Sequence, residues 1–83
     1  MNWTTFQREM WNLRSFETIG YDHDREILVI YYLDGSIVEF LSVEQQRVFE
    51  LIVSSNKENN AKKLYTHYSF NMYTYAGLLY KIV

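Results

Sequence analysis

Eighty-three residues with a formal net charge of −2 make one small domain, room for a single sheet and one or two helices. The lack of cysteine excludes disulfides and thiolate metal sites, and no apolar run reaches the roughly 20 residues of a bilayer-spanning helix. The charge is uneven: residues 1–54 carry −5 and residues 55–83 carry +3, an asymmetry that bears on partners rather than on fold.

At the start, Trp3, Phe6, Met10 and Trp11 recur at helical spacing, with Asn2 or Thr4 as a cap, and predict a short N-terminal helix. Its apolar stripe either covers part of the sheet or exposes the tryptophans as an anchor for a partner. The opening residues lack the basic-then-apolar order of a secretion signal, so a cytoplasmic location is expected. Ser15 to Tyr21 reads as a first strand. Phe16 and Ile19 do not share a period of two, and a bulge or break near Gly20 would reconcile them. Asp22-His23-Asp24-Arg25 is then a turn, better explained by Asx geometry than by a metal, since no further ligand sits at useful spacing.

Glu26 to Leu41 is the centre of the chain. Two runs of aliphatic and aromatic residues flank Asp34-Gly35, the pair favoured by a two-residue type I′ hairpin turn. That turn pairs Leu33 with Ser36, Tyr31 with Val38, and Val29 with Phe40, which puts Ile27, Val29, Tyr31, Val38 and Phe40 on the core face. Leu28, Ile30, Tyr32, Ile37 and Leu41 then form a second apolar face, interrupted only by Glu39. A sheet with one wet side would alternate with polar residues, so this second face needs a cover.

Ser42 and Gln45 form the S-x-x-Q pattern of a capping box and predict a helix from Val43 to Ser54, with Val43, Val48, Phe49, Leu51 and Ile52 as its apolar side. Lys57 to Asn60 reads as a polar loop, and Ala61 to Tyr68 as a short second helix. From Met72 onward Tyr73, Tyr75, Tyr80 and Ile82 alternate as in strands around Gly77, while Leu78, Leu79 and Ile82 would suit a helix. Strand is the preferred reading, and either way the tail is suited to cover the second face. The fold class is therefore α+β: a small antiparallel sheet built on the hairpin, packed by one main helix, with a short N-terminal helix and a Tyr-rich C-terminal tail.

Phe16-x-x-Ile19-Gly20-Tyr21-Asp22, Asp34-Gly35-Ser36, Phe40-x-x-Val43 and the helix that follows resemble the KTSC domain. That small domain occurs at the C-terminus of some lysyl-tRNA synthetases and as free-standing bacterial proteins. The resemblance covers roughly residues 12–70 and implies a single KTSC-like domain over 1–83, with an N-terminal helical extension (1–12) and a C-terminal extension (71–83). The family's central Tyr-x-Tyr reads Val38-Glu39-Phe40 here, and the glycine-containing turn expected later is replaced by Ser54 to Asn60. RNA binding is the activity proposed for such domains.

No nucleophile, base and orienting group converge in any recognisable frame. His23 and His67 lack a motif, and there is no phosphate loop, so the chain is expected to be non-enzymatic and free of cofactor and metal. Two functional expectations follow. In the first, an interaction module, a small bacterial or phage inhibitor or adaptor, binds another protein or a second copy of itself. Trp3, Trp11, Leu28, Ile30, Tyr32 and Ile37 would make the contact, aromatic and apolar residues of the kind that dominate hot spots. In the second, a single-stranded RNA-binding domain uses Lys57, Lys62, Lys63 and Lys81 for phosphates, and Tyr65, Tyr68, Tyr73 and Tyr75 for stacking.

Overall fold

Alternating side chains turn five short stretches into strands, and the helices fill the gaps between them. A computed structural model describes residues 1–74. In chain order it contains β1 (Asn2–Thr5), α1 (Arg8–Trp11), β2 (Phe16–Asp22), β3 (Ile27–Tyr32), β4 (Ser36–Phe40), α2 (Gln45–Val53), α3 (Lys57–His67) and β5 (Phe70–Thr74). The strands form one antiparallel sheet in the order β1-β2-β3-β4-β5. The α+β class is as expected from sequence, with two main helices where one was foreseen.

The hairpin register differs from the expectation by one residue. Tyr31 pairs with Ile37, Ile30 with Val38, and Leu28 with Phe40. The connection is therefore the three residues Leu33-Asp34-Gly35. The Gly35 N–H donates to Tyr32 O at 3.1 Å, and Gly35 alone takes positive φ, at 96°. A type I turn closed by a left-handed glycine needs only one such residue, whereas the type I′ turn needs two and Asp34 does not comply. Asp34 instead turns its carboxylate onto the Ser36 N–H (2.8 Å) and hydroxyl. Because side chains alternate, this slip moves the β3 residues to the opposite face, Leu28 and Ile30 taking the core side in place of Val29 and Tyr31. Val38, Phe40 and Ile37 of β4 keep the faces expected of them.

The core face is therefore Leu28, Ile30, Val38 and Phe40, all fully buried, joined by Phe16, Ile19 and Tyr21 from β2. Val48 and Leu51 of α2 and Ala61 and Leu64 of α3 pack on it, with Val43 and the half-buried Phe70, Met72, Tyr65 and Trp11 around them. Tyr32 and Tyr65 share a hydrogen bond at 2.6 Å inside this layer, and Tyr65 stands edge-on to Phe40 and Phe70 at 5.0 Å. Burial of the core side chains, roughly 1.5–3 kcal/mol each, is what holds the helices to the sheet.

Other expectations are corrected locally. The bulge in β2 lies between Phe16 and Thr18 rather than near Gly20, and it lets Phe16 and Ile19 face the same core. The N-terminal segment opens as a strand, because Thr4, Thr5 and Trp3 pair in register with β2; the helix is confined to Arg8–Trp11. Ser42 adopts φ 57° and leaves the capping box unformed, so α2 starts at Gln45 with Glu44 as N-cap and no side-chain bond. Its start is fixed from outside: Val43 N–H donates to Glu26 O, and Tyr21 Oη donates to Val43 O at 2.6 Å. Lys57 to Asn60, expected as a loop, is the first turn of α3, capped by the Asn56 side chain accepting from Asn59 N–H. Asp22 does organise the turn, but by accepting from the Arg25 N–H three residues on rather than from the residue two on that an Asx turn would use. The strand expected in the tail is β5, and the part of that expectation involving Tyr75, Gly77, Leu78, Leu79, Tyr80, Lys81 and Ile82 lies outside the described residues.

Candidate interaction surface

With the helices on one side, the other side of the sheet is a surface built from alternate strand residues. Its rows follow from the register: Trp3, Gly20, Val29, Glu39 and Asn71 in one, and Thr5, Thr18, Tyr31, Ile37 and Tyr73 in the next. Among the described residues no helix lies over it. Trp3 is 53% exposed, and Tyr31, Ile37 and Tyr73 are half-exposed. Val29 belongs to this face, outside the helix-side core, yet is only 3% exposed.

The aromatic rows are held in place. A Cβ on Gly20 would collide with the Trp3 indole, so the glycine leaves the space in which the ring rests flat on the strand. From there the indole meets the Tyr31 ring at 5.3 Å between centroids, tilted by 58°. Thr5 and Thr18 hydroxyls bond at 3.0 Å beside them. Burial, and then the Glu39 carboxylate, push the Tyr31 phenol above its ordinary pKa, and the same two causes act in the same order on Tyr73. Both phenols are therefore neutral donors at physiological pH. Glu39 is the one charged side chain of these rows.

The residues expected to form the partner site are divided by the structure. Trp3 and Ile37 lie on the outer face. Leu28 and Ile30 lie in the closed core at 0% exposure, and Tyr32 is half-buried against that core; the shifted register puts them beyond a partner's reach. Trp11 is on the helix side, where the Lys57 ammonium sits over its ring at 3.8 Å. Sequence reading missed Gly20 as the seat of Trp3, although a glycine inside a strand signals close approach of another group. It also assigned Tyr31 to the core.

The residues of the RNA expectation are likewise dispersed. Lys57 has 0% exposure and donates from Nζ to Ile52 O (2.5 Å) and Ser54 O (2.7 Å), closing the C-terminal end of α2. Burial lowers its pKa, while the carbonyls and the indole favour the charged form. Lys62 and Lys63 are exposed on α3. Tyr65 is held by Tyr32, and Tyr68 Oη donates to Glu44 Oε1 at 3.1 Å. Lys81 and Tyr75 lie outside the described residues. His23 stands in solvent beside Asp24 at 3.8 Å, and His67 is exposed at the end of α3. Among the described residues no three metal-ligating side chains group together, and no helix is long and apolar enough to cross a membrane.

The KTSC domain profile matches residues 14–68, two thirds of the chain. The chain belongs to the KTSC domain family. No curated protein matches the sequence. The matched stretch contains β2, β3, β4, α2 and α3, whereas β1 and β5 lie outside it. Within the KTSC core, Phe16, Ile19 and Tyr21 are core residues and Gly20 faces out. Trp3, from outside the matched region, fills the space over that glycine. The outer face is thus completed by strands outside the matched stretch: β1 brings Trp3 and Thr5, and β5 brings Asn71 and Tyr73.

Proposed function

We propose that this KTSC domain is a non-catalytic protein-interaction module that binds its partner through the outer face of the sheet. The observation that carries this reading is the row Thr5, Thr18, Tyr31, Ile37 and Tyr73 with Trp3 beside it, aromatic and uncharged, uncovered among the described residues and bearing only Glu39 as a formal charge. Rigid aromatic side chains with a polar tip are what hot spots are built from. A small bacterial or phage adaptor or inhibitor working in the cytoplasm would use such a face. RNA has less to draw on: among the described residues the two aromatic rows carry no cation for phosphate, and Lys57 is sequestered.

The test compares the parent chain with Ile37→Lys, a change on the half-exposed face that leaves the core intact. Each is captured from lysate of the native cell, with and without nuclease. A nuclease-resistant protein companion that Ile37→Lys loses is the expected result. A companion that is released by nuclease, or that binds the variant equally well, overturns the reading.

A further inference from the structure

The edge of the sheet at β1 specifies its own occupant. Phe6 N–H donates to Glu17 O at 2.7 Å, in the same register that pairs Thr4 with Ile19 and Asn2 with Tyr21. Hydrogen-bonded and non-bonded pairs alternate along an antiparallel ladder, so Asn2 and Thr4 bond to β2, while Trp3 and Thr5 turn their N–H and C=O groups to the open side. The 3.0 Å contact between Thr5 and Thr18 hydroxyls fits the close approach of a non-bonded pair. The strand is short, at four residues, but among the described residues neither proline, a charged side chain nor a bulge blunts this edge. A row of unpaired backbone groups asks for another strand.

What flanks the edge is also self-compatible. On the helix side, a groove of about 180 Å³ between β1 and α2 is lined by Asn2, Thr4, Ile19, Val48, Phe49 and Ile52 among others, none of them charged. Phe49 is 57% exposed at its mouth, and Val53, one turn further on, is 58% exposed. On the opposite side stands the exposed indole of Trp3. Apolar groups thus border the open ladder in both layers, and the groove lining itself carries no charge to repel an identical copy.

We propose that two copies of this chain associate through β1, edge to edge and antiparallel about a two-fold axis at Thr4. Trp3 of each copy forms a hydrogen-bonded pair with Thr5 of the other, the register that uses both open residues. The two α2 helices meet over the seam through Phe49 and Val53. The product is one ten-stranded sheet, with both Trp3 rings on a continuous outer face. This association borrows Trp3 and Thr5 from the surface of the binding reading above, but the two are tested separately, because Ile37 lies in β4, away from the seam.

The mass of the parent protein is measured by sedimentation equilibrium from low micromolar to millimolar concentration, alongside three variants and a control. The parent is expected to approach twice its 10.1 kDa. Thr5→Pro removes an outward N–H without touching a backbone bond to β2, losing only the hydroxyl contact with Thr18, which Thr5→Val removes alone as a control. Phe49→Lys puts an ammonium at the groove without touching the ladder. Thr5→Pro and Phe49→Lys are both expected to sediment as folded monomers with the parental circular dichroism spectrum. Thr4→Cys places the chain's single thiol opposite its mate at a Cα separation of about 4.5 Å, within disulfide range, so mild oxidation should cross-link it to a dimer. A parent that is monomeric throughout overturns the proposal. So does a dimer that Phe49→Lys leaves intact, or one in which Thr4→Cys fails to cross-link.

Discussion

The two faces of the sheet have nearly the same hydrophobic composition and opposite fates. Leu28, Ile30, Val38 and Phe40 face the helices and are fully buried, whereas Tyr31, Ile37 and Tyr73 face away and are half-exposed. Composition does not tell them apart; register does. The difference lies in what the alternation exposes. The closed face is aliphatic and aromatic, with Phe16, Tyr21 and Phe40 among its buried residues, whereas the open face mixes Val29 and Ile37 with phenols, threonines, an indole and the carboxylates of Glu39 and Asp22. A surface of that make-up is compatible with water while remaining able to bury area against a partner.

The comparison breaks most sharply at Ile30. Ile30→Lys puts an ammonium under α2 and α3 with no partner, and is expected to cost more than about 4 kcal/mol and leave the chain unfolded by circular dichroism. Lys57→Met is next. It keeps the apolar stem but leaves the Ile52 and Ser54 carbonyls without their donor, and a loss of about 1–3 kcal/mol is expected in urea denaturation.

Glu58 pins the helix layer to the entry of β2, accepting from Arg14 N–H (2.6 Å), Ser15 N–H (2.7 Å) and the Ser15 hydroxyl (2.7 Å). Burial alone would raise its pKa, but these bonds outweigh it and hold the carboxyl below its ordinary value. A depressed folded-state pKa means that the stabilisation is full above the ordinary value of 4.5 and is lost as pH falls through the folded value. Glu58→Gln is expected to cost about 1–2 kcal/mol at pH 7, allowing for partial exposure. The gap between variant and parent should close as the pH is lowered below 4.5.

On the open face the effects shrink. Gly20→Ala forces the Trp3 indole off the strand and is expected to cost about 1 kcal/mol, with Trp3 emission shifted to the red in a Trp11→Phe background. Ile37→Lys is expected to change stability by less than about 1 kcal/mol, since the ammonium reaches water at once. A cost as large as that of Ile30→Lys would mean that the outer face is closed.

Much of the fold was legible in local pattern. Asp34-Gly35 located the hairpin, the strand before it was placed to within a residue, and the apolar positions Val48, Leu51 and Ile52 marked α2. The register was not legible, because one faithful glycine serves both a two-residue and a three-residue loop, and both faces of the hairpin read as apolar. The start of the chain was misread for a related reason. Trp3 and Phe6 fit a helical period, yet Gly20, seventeen residues on, decides that Trp3 lies on a strand. Lys57 was hidden by its own chemistry: a lysine beside glutamate and asparagines reads as surface, and only the fold brings Trp11 and two carbonyls around it.

The strand order has a kinetic consequence. Each of the first three strands pairs with its immediate successor across a short connection, so that part of the sheet is assembled from contacts between near neighbours, the kind that close quickly because little chain entropy is lost in each loop. On a ribosome, β1 to β4 can zip together in the order of their emergence. β5 is different: both α2 and α3 separate it from β4, and it has to wait for them. Until it docks, β4 is an open edge in the nascent chain, bearing Val38 and Phe40 without their cover. Mistakes such as strand exchange between growing chains are therefore expected at β4, in that interval, rather than at β2 or β3.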